Sequence, residues 1–128
     1  MLSRLTIQNY ALIESLDITF PDNLVIITGE TGAGKSILLG ALSLVLGGRS
    51  DISTLKDRTR NCVVEAIFTL EVGQEYILRR VISPGGRSRI FIDGFKWHRS
   101  CFSKFVLRMR QDKYHANSKS KSELPECV

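Results

Sequence analysis

Eight consecutive residues, Gly29-Glu30-Thr31-Gly32-Ala33-Gly34-Lys35-Ser36, carry the most legible chemistry in this chain. They match the spacing GxxxxGK[ST] at every fixed position. Glycines tolerate positive φ and close backbone approach, so successive N–H groups of such a loop can converge on phosphate oxygens. A helix starting near Lys35 aims the positive end of its dipole at the same anion. Lys35 supplies an ammonium for the β- and γ-phosphates, and the Ser36 hydroxyl is a hard oxygen donor of the kind Mg²⁺ takes. The pattern predicts a nucleoside triphosphate site, for ATP with Mg²⁺. Gly29, Glu30, Thr31, Gly32, Ala33, Gly34, Lys35 and Ser36 bind the nucleotide, and Ser36 is also the metal ligand.

The flanking elements suit that role. Leu24 to Thr28 is a continuous apolar and β-branched run, as in a strand buried on both faces, and it stops at Gly29. Ser36 to Leu46 is apolar almost all round and reads as a buried helix, ended by Gly47-Gly48. Upstream, Leu5 and Ile7, then Leu16, Ile18 and Phe20, alternate with polar residues, which predicts two half-buried strands joined through Asn9–Ile13. Downstream of a polar connection over Arg49–Arg60, strands are predicted at Cys62–Leu70, Tyr76–Ile82 and Ser88–Ile92. Ser83-Pro84-Gly85-Gly86-Arg87 is a hairpin signal between the last two. The fold class is α/β: a P-loop nucleotide-binding lobe with an antiparallel β-subdomain, incomplete as it stands.

With 128 residues, 43% hydrophobic and 24% charged, the composition is that of one soluble globular domain. A disordered tail, a collagen-like chain and a disulfide-stapled miniprotein are excluded. The longest uncharged run, Ser36 to Gly48, is shorter than the roughly 20 apolar residues of a membrane span. No secretory pattern opens the chain, and Cys62, Cys101 and Cys127 show no CxxC spacing; a reduced, cytoplasmic protein is expected. Ten basic and ten acidic residues balance between Met1 and Gly94, so the whole net charge of +5 lies in Phe95 to Val128. The division this suggests is a lobe over residues 1–94 and a divergent basic tail over 95–128. One amphipathic helix is predicted in the tail around Phe102, Phe105, Val106 and Met109, ahead of a frayed end.

Four segments narrow the match. They are Leu2-Ser3-Arg4-Leu5-Thr6-Ile7-Gln8-Asn9-Tyr10-Ala11-Leu12-Ile13, the loop within Ile26 to Leu38, Gly47-Gly48-Arg49-Ser50-Asp51, and Ser88-Arg89-Ile90-Phe91-Ile92-Asp93-Gly94. Together they resemble the N-terminus of the RecN family, bacterial DNA-repair ATPases related to the SMC proteins, over about Met1 to Gly94. The resemblance implies an ABC-type head made of two lobes, with ATP sandwiched between two heads that act on DNA at double-strand breaks. The implied partners are ATP, the C-terminal head lobe, a second head and DNA, with no membrane. The family's signature segment, Walker B aspartate, catalytic glutamate and switch histidine belong to the other lobe and have no counterpart in this sequence. The resemblance therefore implies ATP binding with negligible hydrolysis by the isolated chain, and no catalytic residue beyond Lys35.

Past Gly94 the family continues into a His- and Gln-containing segment, and Met109 to Asn117 does not align with it; Gln111 reads more simply as a solvated helix end. A change of reading frame near codon 95 would explain the break, and the other frames downstream should then encode the missing segment and coiled-coil heptads. The alternative is a lineage-specific ending, which the amphipathic stripe favours. Weaker signals have ordinary explanations beside them. The basic tail suits DNA phosphates or a solvated flank. Arg79, Arg80, Arg87 and Arg89 suit DNA, a partner head, or the polar faces of edge strands. His98, Cys101, His115 and Cys127 match no zinc spacing. Asn9 and Tyr10 are candidates for the neighbourhood of the adenine. Two rival readings are a small P-loop kinase, against which the leading β-hairpin speaks, and a non-functional truncated fragment.

Overall fold

The computed structural model describes residues 1–21, 33–69 and 73–112. The strand expected over Leu24–Thr28, the loop residues Gly29–Gly32 and the frayed end expected beyond Lys113 lie outside the described residues.

Among the described residues, six strands form one antiparallel sheet. In chain order the elements are β1 (Leu2–Tyr10), β2 (Ile13–Thr19), α1 (Ala33–Val45), β3 (Cys62–Thr69), β4 (Glu75–Ile82), β5 (Ser88–Ile92), β6 (Phe95–Trp97) and α2 (Arg99–Asp112). The sheet order is β2-β1-β3-β4-β5-β6, so β3 and β4 are central and β2 and β6 are the outermost of the described strands. Alternation decides which side of each strand is buried. Leu5 and Ile7 stand opposite Ala66 and Val64, Ala66 stands opposite Leu78, and Leu78 stands opposite Ile92. All six are buried in one continuous core.

Both helices close over that face. From α1 come Ala41, Leu44 and Val45, and from α2 come Phe102, Phe105 and Val106. The Phe105 ring meets Tyr76 edge-on at 5.3 Å and lies 5.6 Å from the ring of Trp97. Phe102, Phe105 and Val106 of the predicted amphipathic stripe are thus on the buried side of α2. Phe95–Trp97 pair with β5, so sheet and core continue without interruption past Gly94, where the composition changes.

Two expectations need correction. The helix begins at Ala33, ahead of Ser36, and it is not buried all round: Leu39 is 53% exposed. Its apolar circumference exceeds what one sheet face can cover, and its outer side is left bare. The connection over Arg49–Arg60 is not merely polar either. It contains a 3₁₀ turn at Ile52–Thr54 and sends Leu55 into the core, where it bridges to Tyr10.

Candidate functional site

The first turn of α1 holds Ala33, Gly34, Lys35 and Ser36, and it contains no acidic residue. Its unpaired N–H groups and positive dipole end therefore meet no carboxylate from their own helix. Gly34, Lys35 and Ser36 are exposed. Among the described residues, neither the Lys35 ammonium nor the Ser36 hydroxyl has a hydrogen-bond or ionic partner. A Cβ added to Gly34 would meet no atom within 4 Å. Among the described residues, this end of the helix therefore presents an exposed cation and hydroxyl without partners beside the amide donors of its first turn. Gly29, Glu30, Thr31 and Gly32 lie outside the described residues, so only the helical half of the eight-residue pattern has described geometry.

The far end of α1 is closed. Gly47, at φ +101°, donates its N–H to the Leu44 carbonyl at 3.2 Å, and the Gly48 N–H reaches the Ser43 carbonyl at 2.9 Å. This is the paired stop in which a left-handed glycine satisfies the last carbonyls. Arg80 reinforces it. Its Nη1 donates to the Leu44 carbonyl at 3.0 Å and its Nε donates to Ser88 Oγ at 2.6 Å. A cation at a helix C-terminus also complements the dipole there.

For Arg80 the sequence left three places open, namely DNA, a partner head or the polar face of an edge strand. Instead it is 3% exposed, because it alternates in phase with Tyr76, Leu78 and Ile82 on a central strand. The signal for this was its period-two position among apolar residues. Arg79 and Arg89 point to the opposite face, where with Glu65, Ile77, Val81 and Phe91 they line a shallow groove of about 530 Å³. Arg87 is exposed beside the hairpin turn.

Asn9 and Tyr10, considered for the adenine, are core residues. The Asn9 amide accepts from the Asp57 N–H at 2.6 Å and donates to the carbonyls of Asp57 and Arg60 at 2.9 and 3.0 Å. Both amide hydrogens and one lone pair of the amide oxygen are thus used on the loop ahead of β3. The same loop is tied to the first hairpin by Glu14, which accepts from Arg60 at 2.5 Å and pairs with Lys56 at 3.2 Å. These cations hold the Glu14 carboxyl below its usual range. The Thr59 hydroxyl, then the Thr59 N–H and Arg60, pull Asp57 down to about 2. His98 caps α2: its Nδ1 lies 2.9 Å from Ser100 Oγ and 3.4 Å from the Ser100 N–H. Among the described residues no group of His, Cys, Asp and Glu is arranged to hold a metal ion. His115 and Cys127 lie outside them, and Gln111 belongs to the last turn of α2.

A family model described as an AAA domain matches residues 4–124. The chain is 40% identical over 109 residues to the DNA repair protein RecN of Vibrio cholerae, covering 73% of this chain and 20% of that one. It is 36% identical over 110 residues to RecN of Bacillus subtilis, covering 73% and 19%. The chain thus spans about a fifth of the length of these curated relatives. A solved structure from work on ATP-driven dimerisation and DNA-stimulated activation of SMC ATPases superposes with a TM-score of 0.74 at 21% identity, over 92% of this chain and 86% of that one. At that identity the superposition establishes a shared fold. Among the described residues no helix is long and apolar enough to cross a membrane.

Proposed function

The chain belongs to the AAA domain family, within which it is RecN-like, and from that premise we propose that it binds Mg·ATP as the N-terminal lobe of a DNA-repair ATPase head. The observation that carries this reading is the first turn of α1, where Lys35 and Ser36 are exposed and, among the described residues, without partners, in a helix start free of acidic residues. Gly29, Glu30, Thr31, Gly32, Ala33 and Gly34 are the backbone donors for the phosphates. Lys35 binds the β- and γ-oxygens as a point charge, and Ser36 offers its oxygen to Mg²⁺. The metal, when bound, neutralises phosphate charge. The chain's own groups bind and orient.

Hydrolysis requires further parts. Phosphoryl transfer to water depends on a residue that positions the attacking water, in addition to a lysine and a metal. No residue of this sequence is assigned that role. In our reading it comes from a C-terminal lobe, and a second head closes over the nucleotide. Action on DNA at double-strand breaks, in the cytoplasm, belongs to that larger assembly. The bare outer side of α1, with Leu39 exposed, supports an incomplete lobe.

Titration of Mg·ATP into the wild type and Lys35→Ala tests the reading. Binding that Lys35→Ala weakens by tenfold or more, with turnover at background in both, is the expected result. Equal affinities, or turnover well above background that Lys35→Ala leaves intact, would overturn it.

A further inference from the structure

We propose that Arg80 is a positioning residue for the nucleotide site, acting through α1 from the end opposite Lys35; the proposal rests on the phosphate-site reading above. Three observations combine. First, the contact between α1 and the sheet is apolar: Ala41, Leu44 and Val45 lie in one core cluster with Val64, Leu78 and Ile82. Apolar contact is non-directional, so it favours burial without selecting one axial position of the helix. Second, Arg80 is buried in the middle of that contact, where removing a guanidinium from water is costly unless it is well bonded. A methionine of similar reach would fill the space without that cost. Third, its bonds run across elements: Nη1 to the Leu44 carbonyl of α1 and Nε to Ser88 Oγ of β5, with the side chain itself rooted in β4. Directional bonds supply what apolar packing lacks, namely one register of helix against sheet.

That register matters at the other end. At about 1.5 Å per residue, the 13 residues of α1 make a rod about 20 Å long. A shift of the rod along its axis at Leu44 is carried undiminished to the first turn. There, the exposed Lys35 and Ser36 must meet phosphate and metal at hydrogen-bonding and coordination distances. Arg80 touches neither ligand. It sets where the residues that do so are held.

The experiment compares the full 128-residue chain with Arg80→Met, Arg80→Lys, Ser88→Ala and Ile92→Val. Each is titrated with Mg·ATP at a temperature where circular dichroism shows it folded, and each is melted. Ile92→Val is the control for lost stability, since Ile92 is a core residue of β5 that stands opposite Leu78 and not opposite Arg80. Arg80→Met is expected to weaken Mg·ATP binding by at least fivefold. Arg80→Lys, which keeps the charge, should recover part of the loss, and Ser88→Ala should weaken binding about threefold. Ile92→Val should bind within a factor of 1.5 of the wild type despite its lower melting temperature. Wild-type affinity in Arg80→Met overturns the proposal; if that variant does not fold, wild-type affinity in Ser88→Ala does so. Equal weakening in Ile92→Val assigns the effect to general stability and also overturns it. Lys35→Ala runs alongside: if it binds like the wild type, the underlying site reading fails, and the positioning role fails with it.

Discussion

The Tyr10 hydroxyl lies 2.6 Å from where a Cβ on Gly40 would sit, midway along α1. The phenol of β1 is thereby seated close to the helix, and a side chain at Gly40 would require the Tyr10 hydroxyl to shift. Glycine inside a helix ordinarily costs about 1 kcal/mol relative to alanine, so this position gives up helix propensity for close contact.

Gly40→Ala is therefore expected to destabilise the protein, by about 1–2 kcal/mol, because overpacking a buried contact outweighs the gain in propensity. Tyr10→Phe removes the clashing oxygen and leaves the ring carbon at an ordinary 3.7 Å. The double variant should be more stable than Gly40→Ala alone, and urea unfolding of the four-protein cycle measures the coupling. Additive changes would mean that the two residues are not in contact.

Truncation of Phe102 tests whether α2 is part of the cooperative unit. The ring is fully buried and lies 3.2 Å from the Cβ position of Gly47, at the stop of α1. Phe102→Ala should cost about 3–5 kcal/mol, and Phe102→Leu far less. A melting temperature unchanged by Phe102→Ala would show that α2 does not pack on the sheet.

Acid should weaken the clasp between the first hairpin and the loop before β3. Arg60 and Lys56 lower Glu14, and Thr59 and Arg60 lower Asp57 to about 2. A carboxyl depressed in the folded state adds stability that is complete above its unfolded pKa, about 4, and is lost as pH falls through the folded value. Melting temperature should therefore fall between about pH 4 and pH 2. Asp57→Asn should melt lower at pH 7 and show a shallower fall across that window. Both groups lie at the surface, where screening is strong, so added salt should shrink the difference. An unchanged slope in Asp57→Asn would assign the acid sensitivity to other groups.

Much of this protein was legible before any coordinates because the relevant signals are local. The alternation at Leu5–Ile7, Cys62–Thr69 and Tyr76–Ile82, the hairpin glycines, the helix stop at Gly47 and the stripe from Phe102 to Val106 each depend on neighbours a few residues away. Backbone geometry ties such spacings to one conformation and one buried face. The GxxxxGK[ST] pattern is local in the same sense, since its eight residues are consecutive.

What the tertiary structure alone decided are the partners of side chains that reach across the chain. Period two already turns Arg80 toward the core, yet nothing near it in sequence indicates that its partner is the Leu44 carbonyl, 36 positions earlier. Asn9 reads as a turn residue, and only the fold shows its amide spent on backbone groups 48 and 51 positions later. The same holds for Tyr10 and Gly40, and for the central place of β4 in the sheet order. Periodicity tells a residue which way to face. Strand order and helix register determine what it finds there, and these emerge only when distant segments share one core.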